Sequence, residues 1–499
     1  MARALYRGSL WRGAIALILL LAAFVRFHAL AQDLRFQSDE ALFATFARNA
    51  ALNGDWLFHG ALDKPPLTLY AMAVSMSFAA RGSLDTLLDF DARQGEFAAR
   101  VPNTFASLLL VAVMYAWVKQ LSSNRTVALI AALLTACSPL LAAFSASAFT
   151  DILMLLGVTA ALWMSAAKRP LWAGVWLALG FFSKQQALYY VPLVILMLVV
   201  TRKNEAPSYH YIRRMAAQAV VLLFPLIIAI ALLLVWDSAR AEPTGLLALA
   251  AANNAPNGLA ALADIPARIN LWLAYGSHLL GTPPITAVLM LMAFAAFVAR
   301  PTRLDALLWG FIALYSLVHW VVAFNIYDRY LLVVLPLYVV LAARGIGWSM
   351  KFRAWRALQA NKPLRMALIL VFALLLLGGA WHASEGNIIG ERTDDTILDL
   401  ATFLNSQTLG AIIYDRWLGW ELDYYLGQWT EKRKVYYPTP QMLVEDALLQ
   451  LDPAPRYFVA PLERPYQAWI NALATAGFGV SLVYDTPPYL VFRLIPPPR

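Results

Sequence analysis

Residues Gly13–Val25 read GAIALILLLAAFV, with no charge, no proline and no hydrogen-bonding side chain anywhere in the run. Val127–Leu141 and Met366–Leu377 (MALILVFALLLL) likewise carry no charge. Each run is long enough to be the core of a spanning helix of about 20 residues. Such a helix satisfies its own backbone polar groups, which hydrocarbon cannot do for it. Composition agrees. Of 499 residues, 61% are hydrophobic and 14% charged, where soluble domains carry about 25% charge. The chain reads as a polytopic α-helical membrane protein. Arg3, Arg7 and Arg12 precede the first run as they would in a signal peptide. However, Phe24, Arg26, Phe27 and His28 stand where a small-x-small cleavage site would be, so the run is kept as a helix.

Hydropathy predicts about eleven spans, near 10–31, 97–118, 126–144, 149–167, 170–183, 187–201, 215–236, 283–299, 304–324, 330–348 and 365–382. With the amino terminus in the cytoplasm, the cytoplasmic connections are Met1–Arg12, Lys119–Arg125, Lys168–Arg169, Arg202–Arg214, Arg300–Arg303 and Arg344–Arg365. All are rich in Lys and Arg, and their acids are almost confined to Glu205 and Asp305. The positive-inside rule is met at every loop. The opposite face receives Asp33–Glu96, Asp237–Thr282, Asn325–Arg329 and everything after His382, and its acids include Asp55, Asp85, Asp89 and Asp91. The net charge of +9 thus reflects topology and anionic lipid, with no nucleic-acid signal. The expected setting is the cytoplasmic (inner) membrane with the carboxy-terminal domain outside the cytoplasm. Cys137, alone of its kind, excludes an intramolecular disulfide and a cysteine metal cluster, and reads as a buried core residue.

After residue 382 the texture changes. Residues 1–382 form a membrane domain that includes the outer loop 33–96, and residues 383–499 read as a small α/β extracytoplasmic domain. Its expected helices are Asp394–Asn405 and Gln441–Leu449. Its expected strands are Ala411–Tyr414, Arg433–Tyr437, Tyr457–Ala460, Val480–Tyr484 and Tyr489–Leu494.

The loop from Asp33 to Glu96 is too long for a plain connector. Within it, Glu40–Leu52 reads as an amphipathic helix lying on the membrane, with Ser38 as its N-cap. Pro65 and Pro66 open a second apolar stretch, Leu67–Ala80, read as interfacial. Acids in a first helical turn account for Asp39 and Glu40 by themselves. Their company suggests more. SDEALFATFAR (38–48), NGDW (53–56) and DKPPL (63–67) follow one another, then EFAARVP (96–102), FTD (149–151), GFFSKQ (180–185) and RYLLVVLP (329–336). In that order they resemble the GT-C glycosyltransferases related to protein O-mannosyltransferases and to the lipid A aminoarabinose transferase. The resemblance covers roughly residues 10–345 and implies about 11–13 transmembrane helices, one or two beyond the hydropathy count. Phe43 stands where the family often has tyrosine, and the carboxy-terminal domain carries no recognisable motif.

The resemblance implies a sugar donor linked to a polyprenyl phosphate and used at the outer membrane face. The acceptor hydroxyl must lose a proton while a phosphate leaves with negative charge, so a carboxylate and several cations are needed. Asp39 is the candidate base, with inversion at the anomeric carbon. Glu40 either supports it or faces the acceptor. Asp151 is a second carboxylate that tunes Asp39 or helps hold a cation. Lys64 leads the candidate phosphate ligands, followed by Lys184 and Arg329; for these two, snorkelling to headgroups is the competing account. Arg100 fits helix pairing and phosphate binding equally. No spacing requires a metal or cofactor, although a divalent cation at Asp39 and Asp151 is compatible with the chemistry. His278, His319, Tyr189-Tyr190 and Trp417–Trp420 read as packing residues. The implied partners are the donor, membrane lipid and an acceptor lipid, glycan or protein. Two rival functions are a transporter or flippase of lipid-linked sugar and a non-catalytic envelope assembly protein. Polar residues clustered at one face, with no inverted repeat, weigh against transport.

Overall fold

The computed structural model describes residues 2–79, 91–201, 209–240, 242, 244–352, 361–388, 392–426, 433–450 and 453–498. Asp85, Asp89, Glu205 and parts of two basic connections (202–208 and 353–360) lie outside the described residues. By contact the chain divides into two units. The first is Met1–Gln32, Leu57–Ala71 and Arg100–Gly390; the second is Asp33–Trp56, Met72–Ala99 and Glu391–Arg499.

The first unit is helical. Trp11–Leu30, Ala92–Ser122, Tyr209–Ser238, Arg303–Val321 and Met366–Ser384 are long and apolar enough to cross a membrane. Arg125–Ala136 and Pro139–Ser145 make a sixth crossing if the 55° bend between them is counted as one span. The expected spans near 149–167, 170–183, 187–201, 283–299 and 330–348 are helices of 10–17 residues. At 1.5 Å per residue such helices are about 15–25 Å long, short of a hydrocarbon core of about 30 Å. By length and composition, five or six of the described helices qualify as full spans, and the other expected spans are the shorter helices. Short helices at membrane depth are stable where protein satisfies their ends. Arg26 does this at the 55° bend. Its guanidinium donates to the carbonyl of Thr135 (2.9 Å) and to that of Ala136, the orphan acceptors at the end of Arg125–Ala136. Ser138 then caps the next helix through Leu141 N–H, with Pro139 at its first position.

Asp151–Ala166 and Pro170–Ser183 form a tight antiparallel pair, turned through Lys168 at φ 61°. Their backbones approach closely because Gly157 and Gly180 face each other. A Cβ on Gly157 would lie 2.7 Å from the Gly180 Cα. Small residues at a crossing let membrane helices pack by van der Waals contact. Antiparallel pairing brings the first residue of one helix beside the residue that follows the other. Those residues are Asp151 and Lys184.

The second unit contains a five-stranded sheet in the order β2-β1-β3-β5-β4. The strands are β1 (Ile412–Asp415), β2 (Arg433–Tyr436), β3 (Arg456–Pro461), β4 (Gly479–Thr486) and β5 (Tyr489–Ile495). β1 runs parallel to β2 and β3; β5 runs antiparallel to β3 and β4. Tyr414, Phe458, Trp469 and Leu473 are among its buried core. The helices Ile397–Asn405 and Pro440–Leu449 stand near their expected positions, whereas Gly419–Leu426 and Gln467–Thr475 were not expected.

Also in this unit, Ser38–Asn53 packs against Gly419–Leu426. Two expectations are corrected here. Gln37, not Ser38, is the N-cap, since its side chain and that of Glu40 close a reciprocal capping box. The helix is also covered on more sides than a one-sided amphipathic helix. Phe43, Phe46 and Arg48 are buried by protein along with its alanines. Phe46 packs on Trp420 at 5.6 Å, and Arg48 lies over the Tyr424 ring at 5.4 Å while donating to the carbonyls of Asp423 and Tyr424. Of its polar residues, Glu40, Thr45 and Arg48 are buried and hydrogen-bonded.

Candidate functional site

The helix pair of the first unit creates the site's central contact. Lys184 Nζ donates to Asp151 Oδ1 at 2.7 Å, and both residues are buried. The approach to Asp151 is set by Asn103, whose amide donates to the carbonyls of Ser147 (2.7 Å) and Phe149 (2.6 Å). Phe149 in turn lies under Arg329, whose guanidinium is 5.1 Å from that ring and 4.5 Å from the ring of Tyr327. Cation–π contacts of this kind help hold a guanidinium in place. Asp328 accepts from the Arg329 backbone N–H at 2.7 Å. Burial is the main cause that raises the Asp328 carboxyl above its ordinary pKa, opposed by the N–H and charge of Arg329.

Lys64 joins this group through its neighbour. Its Nζ donates to Asp63 Oδ2 at 2.6 Å, and the Asp63 carbonyl accepts from the Gln185 side chain at 3.1 Å. Gln185 directly follows Lys184, so one short segment positions both lysines. The positive fields of Arg329 and Lys64 both reach Lys184. Tyr330 offers its ring to Lys184 at 5.8 Å. The arrangement is a set of cations that protein acids and rings hold in fixed places. Such a set can receive an anion without paying for reorganisation on arrival. Arg100 is also buried in this unit.

Asp39 and Glu40 belong to the second unit. Glu40 is fully buried, and its carboxylate accepts from the Gln37 backbone N–H (3.2 Å) and from Arg392 (3.1 Å). Asp39, one residue earlier, is partly exposed. Near them Arg35, also buried, meets Glu96 at 2.7 Å and Asp395 at 3.0 Å, and the Tyr425 hydroxyl donates to Glu96.

The structure thus brings Asp151, Lys184, Lys64 and Arg329 together in the first unit, with Asp39 and Glu40 in the second. Sequence reading missed Asn103, Gln185, Asp63 and Arg392. Asp63 and Gln185 lie inside the quoted motifs and Asn103 directly after one, and only their contacts give them roles. Arg392 stands in a region without a motif. His319 is a packed histidine, with Nδ1 2.8 Å from the Tyr315 carbonyl and its ring beside Trp272. Among the described residues, no three His, Cys, Asp or Glu side chains group as a metal site.

Residues 63–228 match the Dolichyl-phosphate-mannose-protein mannosyltransferase family. That segment contains Asp63, Lys64, Arg100, Asp151 and Lys184, but not Arg329 or Asp39-Glu40. No curated protein matches the sequence. Among solved structures, the chain is similar to ArnT from Cupriavidus metallidurans in the apo state. The TM-score is 0.67 at 16% identity, covering 97% of this chain and 98% of that one. The same enzyme bound to undecaprenyl phosphate gives 0.66 at 15% identity, covering 96% and 98%. The archaeal oligosaccharyltransferase AglB from Archaeoglobus fulgidus, in complex with an inhibitory peptide and a dolichol-phosphate, gives 0.60 at 12%, covering 98% and 74%. These likenesses show a fold shared with ArnT and AglB. The polytopic helical fold with a mixed carboxy-terminal sheet is therefore as the sequence led us to expect. Of the three cations, Lys64 and Lys184 lie inside the matched family segment.

Proposed function

We propose that the protein transfers a sugar from a polyprenyl-phosphate donor to an acceptor hydroxyl at the outer face of the cytoplasmic membrane. The single observation that carries this reading is the buried Lys184–Asp151 pair, with Lys64 tied to the next residue, Gln185, through Asp63 and Arg329 seated on the Phe149 ring two residues before Asp151. In this reading the three cations stabilise the departing phosphate, and Asp39 takes the acceptor's proton as attack inverts the anomeric carbon. Asp151 holds Lys184 toward the leaving group, and Glu40 keeps the start of its helix in place. Residues 1–382 act as the catalytic membrane domain, with 383–499 outside the cytoplasm and the amino terminus inside. Undecaprenyl phosphate bound by one similar structure and dolichol-phosphate bound by another support the lipid class of the donor.

Turnover tests this. Purified protein in detergent, given polyprenyl-phosphate sugars and envelope extract, should move sugar to an acceptor that mass spectrometry then identifies. Passage of lipid-linked sugar across vesicles without any transfer would instead favour the transporter reading.

A further inference from the structure

Lys64 sits on a loop whose conformation needs external support. Phe58 is buried with φ 53°, a left-handed backbone that a bulky non-glycine residue rarely adopts. Gly60 follows at φ 123°. What holds the turn is the end of the helix Tyr209–Ser238. Arg240, buried, donates to the carbonyls of Leu57 (3.2 Å), Phe58 (2.9 Å) and Gly60 (2.5 Å). Glu242 accepts from the Gly60 backbone N–H, so the loop is gripped through donors and acceptors alike. The guanidinium is oriented from behind by Asp237 at 3.2 Å and by the Trp236 ring at 5.3 Å.

Asp237 also does a second thing. Its other oxygen accepts from Leu246 N–H at 2.7 Å and so caps the helix Leu246–Asn254. Gly245 permits this, because a Cβ there would stand 3.0 Å from that oxygen. From the last turn of this helix Asn253 donates to Asp63 Oδ2 at 3.4 Å, the oxygen that holds Lys64. Two routes therefore leave Asp237 and meet at Asp63-Lys64. One runs through Arg240 and the Leu57–Gly60 turn, the other through the capped helix and Asn253.

The geometry points to Asp237, Arg240 and Asn253 as positioning residues that set the place of Lys64 for the donor phosphate. This rests on the reading of Lys64 given under the proposed function. A residue that serves only the fold would lower stability at every donor concentration. A residue acting through Lys64 weakens donor binding, and loses that effect once Lys64 is gone.

The test is a double-mutant cycle on undecaprenyl phosphate affinity, measured in detergent, with donor KM and kcat alongside. Arg240→Ala should weaken binding roughly tenfold or more and raise donor KM more than it lowers kcat. In a Lys64→Ala background it should add no further loss of affinity. Asn253→Ala, at an exposed position, should weaken binding roughly threefold, again only while Lys64 is present, and it carries the test if Arg240→Ala does not fold. Unchanged affinity in Arg240→Ala and Asn253→Ala, or losses that simply add to that of Lys64→Ala, would overturn the inference. A Lys64→Ala protein that binds undecaprenyl phosphate as well as wild type would fail at an earlier point, the assignment of Lys64 itself.

Discussion

Lys184 reaches Asp151 at 2.7 Å across 33 residues of sequence, and both side chains are buried. A buried ion pair contributes little net stability over an apolar pair, but removing one partner strands the other charge. We expect Lys184→Ala to lower stability by about 3–5 kcal/mol. The double variant Lys184→Met with Asp151→Leu should regain much of that loss while remaining inactive. Thermal unfolding in detergent beside transfer assays checks this; restored activity in the double variant would make the pair purely structural.

The pair depends on the crossing of Gly157 with Gly180. A valine at 157 must displace backbone, since its Cβ alone would meet the Gly180 Cα and N at 2.7 Å. Gly157→Val should therefore cost both stability and activity, whereas a change at Gly310, with nothing within 4 Å of its added Cβ, should cost neither by crowding. Equal behaviour of the two variants would remove the close approach as the cause.

At Lys64, charge should matter more than shape. Lys64→Ala should weaken donor use by about 1.5–3 kcal/mol, roughly tenfold to a hundredfold, and Lys64→Arg by less. Donor affinity and rate both unchanged in Lys64→Ala would exclude it from the site.

Asp39 and Glu40 should separate in an experiment although they are adjacent. Asp39→Asn should leave the protein folded and binding donor, with transfer reduced on the order of a hundredfold or more. Glu40→Gln should act on stability, because it removes the charge facing Arg392 from a fully buried site. Near wild-type transfer by Asp39→Asn would end the base assignment.

Asp328 predicts a pH dependence. Burial holds its carboxyl above the ordinary range, so the folded protein keeps this proton at a pH where the unfolded chain has lost it. Its contribution to stability is present at low pH and is lost as pH rises through the ordinary Asp value to the raised one. A sugar phosphodiester keeps its single negative charge over that window. Donor binding should then tighten, roughly threefold to tenfold, as Asp328 is protonated and Arg329 loses its neighbouring negative charge. Asp328→Asn should flatten the profile; an unaltered profile would assign the titration elsewhere.

Both residues of the buried Lys184–Asp151 pair stood out in the sequence because each motif is local. Asp151 opens its helix, Lys184 ends the next, and charges at such positions are costly unless partnered. The partners were not legible. Asn103, Gln185 and Arg240 are ordinary polar residues in the sequence, and only contacts across 46, 122 and 182 residues give them roles. The helix Ser38–Asn53 was located correctly, but its environment was misread, because Tyr424 and Trp420, which cover it, lie far away in a region without motifs.

The sequence by itself determined the membrane class, the order of the apolar helices and the strands of the carboxy-terminal sheet. These follow from hydrophobic runs and alternation, which are properties of neighbouring residues. Only the tertiary structure decided that several apolar runs are short or broken and that Glu40 is locked by Arg392 while Asp39 is not buried. It alone also revealed that the turn leading to Lys64 is held by Arg240. Each of these depends on which distant residue satisfies a buried polar group, and no local pattern records that choice.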